Sequence, residues 1–197
     1  MNFCEFSPTF IKWIPPTKDE SIETYASRIL GQIHSPNPIL IGLSFGGIMA
    51  VEVAKLIETE KVIVIASAKT KSEIPFYFRF IGKLRLLNLV PVSFLKKYNF
   101  ITSWFFGAKK DSERTLLKQI LKDTDPVFLK WSLEKVIFWE NNDELRNIFH
   151  IHGTHDRILP IKFVKSDIHI KNGGHFMTLS HSEEISKILI KTLKLAN

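Results

Sequence analysis

Ser44 stands in Gly42-Leu43-Ser44-Phe45-Gly46-Gly47, between a strongly apolar run and a segment that opens with small residues. A serine flanked by glycines at a strand-to-helix turn has the makings of a nucleophile, because a tight, strained turn presents the hydroxyl outward and a Cβ at the flanking positions would clash with neighbouring backbone. By chance, a chain of this length carries G-x-S-x-G about one time in fifteen. The context of strand before and helix after removes most such accidents. The amide of Phe45, at the helix start with Gly46 behind it, would face a developing oxyanion, where the helix dipole also favours negative charge.

A serine hydroxyl needs a base and the base needs an orienting acid. His175 follows an expected strand at Asp167 to Ile170 across Asn172-Gly173-Gly174, which would bring its imidazole to the same sheet edge as Ser44. His34, His150, His169 and His181 fall on helix ends or inside strands, where a structural histidine is the better reading. Asp156 lies just past an expected strand at Ile148 to His152. It could instead cap the segment after it or pair with Arg157, and Asp143 and Asp167 are the alternative acids. His150, His152 and His155 straddle a strand end rather than converging, so no metal site is expected from them.

Elements able to position these groups alternate along the chain as short apolar runs and amphipathic segments, the pattern of an α/β fold with a mostly parallel sheet and crossover helices. Strands are expected at Thr9 to Ile14, at Ile39 to Leu43 (buried on both faces), at Lys61 to Ala66 and at the two sites above. Helices are expected at Asp19 to Ile33, Gly46 to Glu58 and Ser182 to Leu195, the last started by a capping box from Ser180 to Glu183. From about residue 69 to 147 the chain turns helical and aromatic, with breaks near Pro75, Pro91, Gly107 and Pro126. A structureless loop of that length does not fit a compact domain, so an inserted helical cap is expected within one domain spanning 1–197.

Composition limits the function classes. The chain has 197 residues, 45% of them hydrophobic and 24% charged, ordinary values for one globular domain. Its net charge of +7 is scattered rather than gathered on one element, which argues against nucleic-acid binding. The single cysteine, Cys4, excludes a disulfide framework. With no export signal, that points to the cytoplasm. The uncharged stretch His34 to Val51 is broken by Pro36, Pro38 and Gly46-Gly47, so it reads as strand, turn and helix rather than a membrane span.

The order Ser, Asp, His and the motifs Gly42-Leu43-Ser44-Phe45-Gly46, His152-Gly153-Thr154-His155-Asp156-Arg157-Ile158-Leu159-Pro160 and Gly173-Gly174-His175-Phe176 resemble the α/β-hydrolase family, in particular small capped serine hydrolases. The resemblance runs from about Thr9 to the C-terminus. It implies Ser44 as nucleophile, Asp156 as acid, His175 as base, Phe45 as an oxyanion amide with Gly46 beside it, and no cofactor. The implied activity is hydrolysis of a carboxylester or related acyl compound through an acyl-enzyme, with a small apolar acyl or aryl substrate. Family members usually begin with a strand ending in a His-Gly or Gly-rich loop that supplies a second oxyanion amide beside the nucleophile strand. Met1 to Pro8 leave no room for it, and the alternatives are therefore a weak or inactive protein of this fold that binds an apolar ligand or partner, or a lyase of the same fold.

Overall fold

Residues of the β-branched and leucine type dominate four short runs that pair into one parallel sheet in the computed structural model, which describes Phe6 and residues 8–84, 91 and 96–195. The strands β1 (Ile39–Leu43), β2 (Lys61–Ile65), β3 (Ile148–Gly153) and β4 (Ile168–Ile170) are neighbours in that order. Ile41 lies opposite Ile63, Ile63 opposite Phe149, and Ile151 opposite Ile168. In β2 the period-two alternation of a strand divides the core. Val62 and Val64 pack on one face with helices α1 (Ile22–Ile29) and α2 (Phe45–Ala54), while Ile63 and Ile65 pack on the other with α8 (Ser182–Lys194). Helices on both faces of a parallel sheet make a three-layer α/β architecture.

The strand buried on both faces is β2, not β1. Among the described residues β1 is an edge strand, and Ile41 and Leu43 are 47% and 39% exposed. The expected strand at Thr9 to Ile14 is also absent. That segment has no ladder partner, and side chains of the following helical region satisfy its backbone instead. The Ile14 amide donates to the Tyr25 hydroxyl at 3.0 Å, and that hydroxyl donates to the Ile14 carbonyl at 2.8 Å. Lys12 exchanges two bonds with the Gln32 amide at 2.9 and 3.0 Å. A sheet-forming composition gives a strand only where another strand lies alongside. Phe6 packs against the core cluster that holds Ile63, Ile65 and Ile151.

Helix α1 starts at Ile22, later than the expected Asp19, because the Ser21 hydroxyl caps it by accepting from the Thr24 amide at 3.1 Å; Ile22, Tyr25, Ala26 and Ile29 form its buried stripe. Helix α2 is buried from Gly47 to Val53, as expected for a helix apolar all round. At α8 the expected capping box does not form: the helix begins at Ser182 without a side-chain cap, and the Ser180 hydroxyl pairs with His181 Nδ1 at 2.9 Å.

Between β2 and β3 lie α3 (Phe76–Lys83), α4 (Phe100–Phe106), α5 (Asp111–Asp123) and α6 (Pro126–Ile137), with α7 (Met177–Ser180) following β4. Pro75 caps α3, Gly107 ends α4 in the left-handed conformation, and Pro126 opens α6. The aromatics of this insertion divide. Trp131 and Trp139 anchor α6 and the residues after it in the main core, their indole N–H groups donating to the Glu20 carbonyl at 3.0 Å and to Glu52 Oε1 at 2.7 Å. Phe76, Phe80, Trp104, Phe105 and Phe138 stay exposed. Among the described residues no helix is long and apolar enough to cross a membrane.

Candidate active site

β1 delivers the chain to Ser44, whose φ of 52° and ψ of −121° form the turn into α2. A non-glycine residue there is strained by about 1–3 kcal/mol and needs its surroundings to hold it. The holding groups are specific: the Ser44 amide donates to the Ile65 carbonyl at 2.9 Å, and the Ser44 carbonyl accepts from the Gly47 amide at 2.9 Å and the Ser67 hydroxyl at 2.7 Å. Close approach also requires glycine, at only one of the two glycines of the pentapeptide and at the glycine that follows it. A Cβ on Gly42 would lie 2.1 Å from the Gly46 carbonyl oxygen, and one on Gly47 would lie 2.4 Å from Ser67 Oγ. A Cβ on Gly46 would meet nothing nearer than the Trp13 ring at 3.9 Å, so Gly46 is not sterically required. Ser67 was not anticipated; its only signal is a small polar residue just beyond the apolar run of β2.

The ring of Phe45 packs with Trp13, Phe128 and Trp131 at centroid distances of 5.6–5.9 Å. Its amide, on the first residue of α2, has no intrahelical acceptor and lies next to the Ser44 side chain in sequence.

His175 Nε2 lies 2.8 Å from Ser44 Oγ, and its Nδ1 lies 2.8 Å from Asp156 Oδ2. His175 and Asp156 are buried. Asp156 also performs the capping role weighed as its alternative, since its Oδ1 accepts from the amides of Ile158 and Leu159 at 2.9 Å each. Burial alone would raise its carboxyl, but His175 and the Leu159 amide outweigh that and hold it below the usual carboxylate range. An ionised Asp156 fixes the proton of His175 on Nδ1, leaving Nε2 to accept from the Ser44 hydroxyl. Arg157 does not pair with it: the guanidinium donates to the Trp104 carbonyl at 2.7 Å and lies 4.3 Å over the Trp104 ring. Asp167 accepts instead from the His150 amide at 2.7 Å, while Asp143, His34 and His169 are exposed.

The loops carrying Asp156 and His175 touch through backbone. A Cβ on Gly153 would lie 2.3 Å from the Gly173 carbonyl oxygen, which itself accepts from the His155 amide at 2.8 Å. From the insertion, the Phe106 carbonyl accepts from the Phe176 amide at 3.0 Å, and the Phe106 ring meets His175 edge-on at 5.6 Å.

Behind Asp156 lies a buried histidine pair. His152 Nε2 is 2.8 Å from the Leu159 carbonyl, which can only accept, so that nitrogen carries the proton. It is also 3.6 Å from Asp156 Oδ2. His152 Nδ1 then accepts from His150 Nε2 at 3.1 Å, and His150 Nδ1 is left with no hydrogen-bond partner among the described residues. Burial first, then the neighbouring His152, pushes His150 down to about 3. Burial likewise lowers His152. His155 is exposed and apart from this pair, and no cluster of three His, Cys, Asp or Glu suited to a metal occurs among the described residues. A concavity of about 600 Å³ lined by Asn37, Lys55, Thr59 and Asn147 lies at the far end of α2 and holds none of these residues.

No family model and no curated protein matches the sequence. Solved structures do. The chain is similar to a thermophilic esterase from Thermogutta terrifontis (TM-score 0.64, 15% identity, 94% of this chain and 75% of that one). It is similar also to a meta-cleavage product hydrolase, CumD, from Pseudomonas fluorescens IP01 (0.63, 14%, 93% and 75%) and to an N-acyl homoserine lactonase, AidH (0.61, 14%, 90% and 71%). This is an α/β-hydrolase fold. Within the α/β-hydrolase fold of this chain, Ser44 follows β1, Asp156 follows β3 and His175 follows β4, and all three converge at the C-terminal ends of a parallel sheet, where open α/β sheets place their sites.

Proposed function

We propose that the chain is a serine hydrolase that cleaves a carboxylester or related acyl compound through an acyl-enzyme on Ser44. The observation that carries this reading is the continuous chain from Ser44 Oγ through His175 to Asp156, with both links at 2.8 Å. In the first half-reaction His175 Nε2 takes the Ser44 proton as Oγ attacks the acyl carbon. Asp156 stabilises the imidazolium, the Phe45 amide, with Gly46 beside it at the start of α2, faces the oxyanion, and the leaving alcohol departs with the proton from His175. Water then repeats the sequence and releases the acid. No cofactor enters these steps. An apolar acyl or aryl group fits the exposed Leu43, one residue before Ser44, and Phe106 against His175.

A second reading, binding with slow turnover, is favoured by the edge position of β1 among the described residues, since no strand there brings a second oxyanion donor in beside the nucleophile strand. Losing one such donor costs about 10²–10³ in rate. One experiment tests both. Purified protein is treated with a fluorophosphonate probe and followed by intact mass, beside Ser44→Ala and His175→Ala, and then assayed on short and medium acyl esters. Stoichiometric labelling that needs both residues, with ester turnover, supports the hydrolase. Labelling without turnover supports the second reading, and no labelling of folded protein rejects an activated Ser44.

A further inference from the structure

Gly107 and Gly174, whose backbones touch beside His175, also wall a separate cavity of about 220 Å³. Four segments meet around it: the link from α4 to α5, the loop that carries Asp156, the loop that carries His175 and the junction of α7 and α8. They bring Lys109, Lys110, His155, Arg157 and His181 to one concavity against a single lining carboxylate, Glu113. That carboxylate is already committed, because its Oε2 accepts from the amides of Lys109 and Lys110 at 2.8 and 3.1 Å. The imidazoles are held from one side. His181 Nδ1 pairs with the Ser180 hydroxyl at 2.9 Å, and His155 Nδ1 with the Thr154 hydroxyl at 3.1 Å. Thr154 Oγ1 also accepts from the Asn172 amide at 2.9 Å, which ties His155 through Thr154 to the loop that carries His175.

We propose that this cavity, which Ser44 does not line, binds the phosphate group of a phosphate ester or diphosphate. Its volume is below the roughly 300–1,000 Å³ of pockets that enclose a drug-sized apolar ligand, and suits a compact anion. Two lysines and an arginine supply charge, and the oriented imidazoles supply charge-assisted or neutral N–H donors to phosphate oxygens. Arg157 has its Nη1 bonded to the Trp104 carbonyl, so its guanidinium is already fixed at the cavity wall.

Inorganic pyrophosphate is the probe, titrated calorimetrically at about 0.15 M ionic strength, where attraction to scattered surface charge is screened beyond about 8 Å. The proteins are wild type, Lys109→Gln with Lys110→Gln, His155→Gln, and a control that removes two lysines elsewhere, Lys18→Gln with Lys118→Gln. Saturable one-to-one binding that weakens at least tenfold in the double cavity variant and at least threefold in His155→Gln, but not in the control, is the expected result. Ser44→Ala binds pyrophosphate as wild type does, so failure of the hydrolase reading leaves this one standing. No saturable binding to wild type, or equal weakening in the control pair, overturns the proposal. Because His155 is exposed, His155→Gln retains its fold and keeps the test decisive even if the double variant unfolds.

Discussion

Replacing His150 by Gln tests how the buried histidine pair ties stability to pH. His150 has a folded pKa of about 3, against about 6.5 for an exposed histidine, and its Nδ1 faces no acceptor. The unfolded chain therefore takes up a proton that the folded chain refuses, and stability falls as pH drops from about 6.5 toward 3. At pH 5 the unfolded side gains a factor of about 30 in protonated forms while the folded site stays neutral, a loss of about 2 kcal/mol; at pH 4 the loss reaches about 3 kcal/mol. Gln cannot titrate, yet its amide can still donate to His152 Nδ1. Urea unfolding followed by circular dichroism at pH 7 and pH 5 should show wild type losing about 2 kcal/mol relative to His150→Gln between the two values, with unchanged denaturant slopes. A stability difference between the two proteins that is constant within about 0.5 kcal/mol across this range would refute a neutral His150 with an unpartnered Nδ1.

Gly47→Ala forces a methyl onto Ser67 and should cost about 1–3 kcal/mol by urea midpoint, whereas Gly46→Ala, with open space beside it, should be neutral or stabilising by up to about 1 kcal/mol. Asp156→Asn keeps an oxygen for the Ile158 and Leu159 amides but cannot hold the His175 tautomer, so fluorophosphonate labelling should slow by on the order of 10²–10⁴ with the fold retained by circular dichroism. Arg157→Ala removes the bond to the Trp104 carbonyl and the stacking on its ring, and hydrogen exchange should speed up at the amides of α4 while β2 stays protected.

What the sequence disclosed and what it withheld divide along the range of the interactions. Ser44, Asp156 and His175 were locatable because each sits on a short motif whose geometry is local: a strand, then a turn of glycines or a capped loop. Convergence follows from parallel strands ending at one sheet edge, a consequence of the α/β pattern. Burial of β1 was misread because Ile39 to Leu43 and Lys61 to Ile65 are equally apolar, and nothing within five residues says which strand has two neighbours. Thr9 to Ile14 failed for the same reason: its partners are Tyr25 and Gln32, eleven and twenty residues on, and they act through side chains that no period-two pattern encodes.

The same reasoning separates the glycines. G-x-S-x-G marks Gly42 and Gly46, but the glycines that meet a wall are Gly42, against the Gly46 carbonyl, and Gly47, because Ser67 arrives there from β2 to bond the Ser44 carbonyl. Gly46 faces the Trp13 ring, while Ile41 and Leu43 are exposed on β1, an edge strand among the described residues. A strained serine can be held from one side alone, since Ile65, Ser67 and Gly47 all act from the β2 side or from α2 itself. On the proposed hydrolase reading, positioning of the nucleophile and stabilisation of its oxyanion are separable: the first rests on groups that are present, and the second would draw on the Phe45 amide. Efficient labelling by a fluorophosphonate with slow ester turnover would be the kinetic mark of that separation.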